Sequence, residues 1–297
     1  MLAGISTYTF TWAIGVPGNV PAWPLTEIQL IDLAVKYQVP VVQIADNLPL
    51  HKMDGDRLNR LIAYASEKNI QIEVAARGMT PKNLEQYILL AEMFKSPILR
   101  FVIDGPSFEP DLDDINSIIT NVLPELKKRN IVLAIENHDR LFSWEFEHIL
   151  KYCNHANLGI CLDSVNSLGA GEDVNRVVDV LAPYTVNFHA KEFIISRHAH
   201  KMGFTVVGCP LGKGMLQIES ILERLDPKKC RSAILEQWTP PEDTLDKTIE
   251  KEALWAEESI EALKLAVACW VKQGGECCGR AITGASPTGN SRLSHIG

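Results

Sequence analysis

Four residues able to bind a metal ion, Glu136, Asp163, His189 and Glu236, each follow a short apolar run that reads as a β-strand. The runs are Ile131–Ile135, Leu158–Leu162, Val186–Phe188 and Ala233–Leu235. Three carboxylates and one imidazole, displayed one per strand, would give a divalent ion three oxygens and a nitrogen if the strand ends converge. Without a cation between them, buried carboxylates this close would repel one another and take up protons. A closed parallel barrel brings strand ends together in this way, because its C-terminal rim gathers them around one axis.

The rest of the chain supports such a barrel. Further strand-like runs at Ala3–Tyr8, Val41–Ala45, Gln71–Ala75 and Ile98–Ile103 bring the number to eight, and stretches with apolar residues at helical spacing separate them. Helix starts are marked by Thr26-Glu-Ile-Gln29, a capping box with Leu25 as staple, and by Thr80-Pro81. A last helix is expected from about Thr244 to Cys269. No G-x-G-x-x-G follows the first strand and no phosphate-binding P-loop occurs, which disfavours an open doubly wound sheet. The expected fold is α/β, a single-domain (β/α)8 TIM barrel over residues 1–270, with 271–297 as a disordered C-terminal tail containing Cys277 and Cys278. The glycine-bearing stretch from Phe193 to Gly214 is expected to be a lid loop.

Composition narrows the class of partner. A net charge of −8 argues against nucleic acid. No stretch approaches the roughly 18 apolar residues of a membrane span, and the first residues have no basic, signal-like character. Seven cysteines without a C-x-x-C pair give neither a disulfide framework nor a zinc knuckle, so a cytoplasmic location and a small-molecule substrate are expected, with pairing into a homo-oligomer possible. Oxygen-rich ligation with one histidine suits Mn²⁺ first, then Mg²⁺, Co²⁺ or Zn²⁺.

Four segments carry a family resemblance: Ala134-Ile-Glu136-Asn137-His138, Leu162-Asp163-Ser-Val-Asn166, Phe188-His189-Ala-Lys191-Glu192 and Ile234-Leu-Glu236-Gln. Together with Gly208–Gly214, they resemble the xylose-isomerase-like TIM barrels known as sugar phosphate isomerases/epimerases. The resemblance implies a metal-dependent isomerase or epimerase of a sugar or keto-sugar, working by proton abstraction next to a carbonyl through a metal-stabilised enediolate. It also implies that Glu136 and Glu236 are both ligands and the acid/base pair, while Asp163 and His189 are ligands alone. Asn166 stands where sugar epimerases often carry a histidine. Asn cannot transfer protons near neutrality, and dehydratase-type relatives tend to carry Asn there.

A lyase or dehydratase is therefore the first alternative. An endonuclease-IV-like DNA repair enzyme is a remote one, because it would need further histidines and a basic surface. A sugar-binding protein that kept the site as a scaffold is a third. Asn166, Lys191, His138 and Arg197 are the expected substrate contacts. Lys191 has an alternative as a rim lysine paired with Glu192. Arg100, inside the fourth strand, needs a carboxylate partner, with Glu73 as candidate. Arg77, Asp46 and Asp104 could line the pocket, the two aspartates equally capping the next helices. The lack of a further Gly-rich phosphate turn favours a non-phosphorylated substrate.

Overall fold

A computed structural model describes residues 1–272. Its strands are β1 (Leu2–Ser6), β2 (Val41–Ile44), β3 (Gln71–Arg77), β4 (Ile98–Val102), β5 (Val132–Glu136), β6 (Leu158–Asp163), β7 (Thr185–Ala190), β8 (Phe193–Arg197), β9 (Phe204–Gly208) and β10 (Ser232–Leu235). Eight of them close into a parallel barrel in the order β1-β10-β7-β6-β5-β4-β3-β2, while β8 and β9 pair only with each other. The helices are α1 (Thr11–Ile14), α2 (Glu27–Tyr37), α3 (Gly55–Glu67), α4 (Pro81–Met93), α5 (Leu112–Arg129), α6 (Ser143–Cys153), α7 (Val174–Leu181), α8 (Ile218–Arg224) and α9 (Leu245–Lys272). The expected (β/α)8 TIM barrel is the observed fold. The tail expected from residue 271 begins later, since Val271 and Lys272 still belong to α9; the rest of it, with Cys277 and Cys278, lies outside the described residues.

Two helix starts form as their sequences predict. Thr26 accepts a hydrogen bond from Gln29 N while Gln29 Oε1 accepts one from Thr26 N, closing the capping box of α2. Thr80 caps α4 through Asn83 N, with Pro81 in the first turn, where no amide hydrogen is needed. The first strand ends at Ser6, earlier than expected. Ser6 Oγ accepts from Tyr8 N and starts a tight turn over Thr7–Thr9.

Side chains on the outer faces of the strands, such as Ile5, Ile44, Val74, Leu99, Leu133 and Ile160, pack against Leu30, Leu61, Tyr87, Ile119, Ile149 and Ile260 of the surrounding helices. This continuous layer is the main core, and its burial is the dominant stabilising term. Inside the barrel a small apolar cluster (Ile98, Val132, Ala134, Cys161, Val186) accompanies a buried polar set of Gln43, Glu73, Asn187 and Ser232. Glu73 accepts from Ser232 Oγ at 2.6 Å, Gln43 Nε2 at 3.2 Å and Asn187 Nδ2 at 3.3 Å. Burial still holds its carboxyl above the usual carboxylate range.

The segment expected as a lid loop contains an antiparallel hairpin, β8 pairing with β9 from Phe193↔Gly208 to Arg197↔Phe204. Its two arms, FIISR and FTVVG, are rich in β-branched and aromatic residues, which favour strands. At its base Gly208 lies against Trp238, where any Cβ would clash with the Trp238 carbonyl oxygen. Helix α9 secures the wall beside the hairpin. Both oxygens of Glu252 accept backbone hydrogen bonds, from Trp12 N at 2.9 Å and Ala13 N at 3.0 Å.

Burial pushes the Glu252 carboxyl up from 4.5 to about 7, against those backbone hydrogen bonds, which favour the ionised form. A folded-state value above the unfolded one means that the native state binds this proton more tightly. Its contribution therefore makes stability fall as pH rises from about 4.5 towards about 7. Melting curves of Glu252→Gln should show a smaller loss of Tm between about pH 5 and pH 7 than the parent chain.

Candidate active site and metal centre

Glu136 and Asp163 are the last residues of β5 and β6, His189 is next to last in β7, and Glu236 directly follows β10. The parallel register sets Asp163 beside His189 and His189 beside Ile234, so the barrel brings all four to one end. All four are at most 1% exposed. His189 Nδ1 lies 3.2 Å from Glu136 Oε2, 3.4 Å from Glu236 Oε1 and 3.9 Å from Asp163 Oδ2. Its other nitrogen, Nε2, is 2.8 Å from Gln43 Oε1, an oxygen that can only accept. Gln43 thus keeps a proton on Nε2 and turns Nδ1 towards the three carboxylates, where, against burial, the charge of Glu236 and Glu136 favours a second proton on that nitrogen unless a metal cation takes its place.

A metal ion fits this arrangement. His189 Nδ1 is buried without a hydrogen-bond partner of acceptable geometry. Ligand atoms of Asp163, His189 and Glu236 all lie within 4.8 Å of one another, as do those of Glu136, Cys161 and His189. Four carboxylates, Glu136, Asp163, Glu236 and Asp46, meet only two permanent cations there, Arg100 and Lys191. A net negative charge remains on these four carboxylates, which a divalent ion would offset.

Those two cations shape the site. Arg100 Nε donates to Glu136 Oε2, and Nη1 reaches Asp46 Oδ1 at 3.4 Å. The expected Arg100–Glu73 pair does not form. Arg100 is in register with Ala75, so Glu73 points inward one layer deeper, into the polar network. Lys191 Nζ lies 2.7 Å from Asp163 Oδ2 and 3.0 Å from Glu236 Oε2, and 3.3 Å from Asn166 Oδ1. It is therefore not paired with Glu192, whose Oε1 instead accepts from Phe193 N and Leu216 N. Burial opposes the charge on Lys191, but Asp163 and Glu236 outweigh it and hold the ammonium protonated. Burial likewise opposes ionisation of Glu136 and Glu236. Arg100 and His189 nevertheless bring Glu136 below the usual carboxylate range, and His189 and Lys191 bring Glu236 well below it.

Neighbouring backbone and side chains fix the candidate ligands. Asp163 Oδ1 accepts from Val165 N and Asn166 N, both at 2.9 Å, which leaves Oδ2 for the centre. Asn166 Nδ2 donates to Glu136 Oε1 at 2.9 Å, and Ser6 Oγ donates to Glu236 Oε1 at 3.1 Å. Asn137 ties β5 to β6 by accepting from Asp163 N and donating to Asp163 O.

Above the cluster opens a cavity of about 670 Å³, a volume suited to a small ligand. Tyr8, Trp12, Arg77, His138, Asn166, Lys191 and Trp238 line it, and Thr205–Gly208 of the hairpin form one wall. Of the expected substrate contacts, Asn166, Lys191 and His138 line this cavity. Arg197 does not. It lies at the exposed outer end of β8, where its guanidinium stacks on Phe204 at 4.1 Å and donates to Lys201 O. His198 and His200 stack on each other in the same exposed turn. Asp46 and Asp104 cap no helix: Asp46 accepts from Tyr8 OH, and Asp104 pairs with Arg140.

Gln43 and Cys161 are functional candidates that sequence reading missed, although each left a signal. Gln43 is a polar residue inside an apolar strand, and Cys161 shares a strand face with Asp163 two residues on. Replacing Gln43 by Leu frees the His189 ring. Titration calorimetry with Mn²⁺ should then show affinity weakened by about 10–100-fold, whereas unchanged affinity would mean that Gln43 does not orient the ligand.

Residues 79–265 match the family described as xylose isomerase-like TIM barrels. Among curated proteins, the 3-oxo-isoapionate decarboxylase of Pectobacterium atrosepticum is 28% identical over 264 residues, spanning 89% of this chain and 95% of that protein. Among solved structures, D-psicose 3-epimerase from Clostridium cellulolyticum superposes with a TM-score of 0.67 at 15% identity, covering 93% of this chain and 100% of that one. A xylose isomerase domain protein from Planctomyces limnophilus gives 0.65 at 14% identity, covering 91% and 97%. With its barrel closed and well over half its length matched, the chain belongs to the xylose isomerase-like TIM barrels.

Proposed function

We propose that this chain is a metal-dependent sugar-modifying enzyme that acts at the carbon beside a substrate carbonyl. We further propose that its reaction is a lyase step, loss of CO2 from a 3-oxo sugar acid. The observation that carries this reading is the Lys191 ammonium, which sits at the cavity wall between Asp163 and Glu236. The relative from Pectobacterium, named for a decarboxylation and similar over nearly its whole length, supports the same choice. Glu136, Asp163, His189 and Glu236 would hold the ion, for which Mn²⁺ is the first candidate and Mg²⁺, Co²⁺ or Zn²⁺ the others. When bound there, such an ion would polarise the carbonyl and an adjacent hydroxyl.

Decarboxylation breaks the bond between the carboxylate carbon and the carbon beside the ketone. The bonding electrons pass towards the ketone oxygen as CO2 leaves, and one proton must then reach that carbon. The step needs a cation near the oxygen and a proton donor, but no initial base. Lys191 is held protonated at the wall and can supply the cation, with solvent supplying the proton. Glu136 is poorly placed as a free base, since Arg100 engages Oε2 and Asn166 engages Oε1. Asn166 orients a hydroxyl or Glu136 without exchanging protons.

Isomerisation or epimerisation of a keto-sugar is the second reading, favoured by the presence of both Glu136 and Glu236 at the same centre. Incubating the Mn²⁺-reconstituted chain in D2O with 3-oxo sugar acids and with keto-sugars separates the two. The lyase reading predicts CO2 release with one deuterium gained per turnover. It also predicts that Lys191→Met lowers kcat by at least about 100-fold with metal content kept. Deuterium exchange on keto-sugars without CO2 release would replace it by the epimerase reading, in which Glu136→Gln and Glu236→Gln each abolish exchange. Near wild-type turnover by both variants would refute proton transfer by these glutamates.

A further inference from the structure

We propose that Arg77 is the receptor for a carboxylate carried by the substrate, and so the residue that selects sugar acids over neutral sugars. Three Lys or Arg side chains line the cavity: Arg77, Arg100 and Lys191. Arg100 is neutralised by Glu136 and Asp46, and Lys191 by Asp163 and Glu236. Among the described residues, no carboxylate lies within ion-pair distance of Arg77. Its one polar side-chain neighbour is His138, with Nη1 3.4 Å from Nε2. Asp104 is committed to Arg140 through two bonds of 2.7 and 3.0 Å, and Asp139, a mostly exposed carboxylate on the same cavity, faces His138 Nδ1 at 3.2 Å and not Arg77.

A half-buried guanidinium facing a cavity without a counter-charge offers a planar fork of donors that matches a carboxylate. The backbone that carries the fork is also held in place. Arg77 closes the inward-facing row Glu73–Ala75–Arg77 of β3, and Asn83 Nδ2 donates to both Arg77 O and Gly78 O. Gly78 turns the chain at φ +77° and packs so closely on Gly105 that a Cβ at Gly105 would meet the Gly78 Cα at 2.7 Å. Rigid backbone at this point lowers the ordering cost of binding. His138, one residue beyond Asn137 and two beyond the ligand Glu136, links this anion-binding wall to the metal centre. One unpaired positive charge matches one carboxylate, which distinguishes the expected substrate from a phosphorylated sugar.

The inference rests on the sugar-acid reading, yet it can be tested apart from turnover. Calorimetry on the full Mn²⁺-loaded chain would compare erythronate with erythritol, which share a four-carbon polyol skeleton and differ by the carboxylate, and with erythrose 4-phosphate as the phosphate arm. Wild type is expected to prefer erythronate over erythritol by at least about 30-fold, Arg77→Met to reduce that preference to below about 3-fold, and Arg77→Lys to restore part of it. Metal content and melting temperature should match wild type in both variants. An undiminished preference in Arg77→Met would overturn the proposal, and so would an Arg77-dependent preference for the phosphate ester over erythronate. If Arg77-dependent erythronate binding is found but no 3-oxo acid releases CO2, the carboxylate receptor stands and the lyase reading fails.

Discussion

The structure depends on one electrostatic conflict. Three carboxylates and an imidazole lone pair are held within a few ångströms of each other with almost no access to water. Burial alone would protonate the acids, and their mutual repulsion would add to that tendency. Arg100, which is shared with Asp46, and Lys191 relieve the conflict only in part, and the net negative charge that remains defines what the site can accept. Most of the interior polar contacts make sense as consequences. Gln43 assigns the proton of His189, Ser6 and Asn166 hold the glutamates, and backbone amides take one oxygen of Asp163 so that the other faces the centre.

The barrel makes this conflict affordable. Its outer layer of apolar contacts between strands and helices supplies stability without using the interior, so the inside of the sheet can carry polar residues. Below the centre, Glu73, Asn187, Ser232 and Gln43 form a hydrogen-bonded floor that leads directly to His189. Above it the hairpin β8–β9 and Trp238 close one side of the cavity, and close packing at Gly208 keeps the hairpin base against the rim. The positions of the candidate ligands are thereby set by strand register, the stiffest geometric constraint the fold offers.

The barrel and the four strand-end residues were legible in the sequence because both follow local rules. Apolar runs report strands, periodic spacing reports helices, and a lone charged residue ending each run reports the rim. What lay hidden depended on three-dimensional register. Nothing local tells that Arg100 stands a layer above Glu73, or that Lys191 turns to Asp163 and Glu236 rather than to its neighbour Glu192. Arg197 misled because it follows a ligand-bearing strand in sequence, while the hairpin carries it outward onto Phe204. The lid loop proved to be a hairpin for a reason that strand propensity of Phe193–Arg197 and Phe204–Gly208 could have signalled. Arg77 was visible as a strand-end cation, but its lack of a counter-charge emerges only when every nearby acid is placed.

Everything proposed for this site depends on whether these strand ends hold a metal ion. Crystals of the full chain soaked in Mn²⁺ and measured on both sides of the manganese absorption edge would decide it. The account predicts one strong anomalous peak per chain, bonded to His189 Nδ1 and to oxygens of Glu136, Asp163 and Glu236. An absent peak there, or manganese bound only elsewhere, would contradict it.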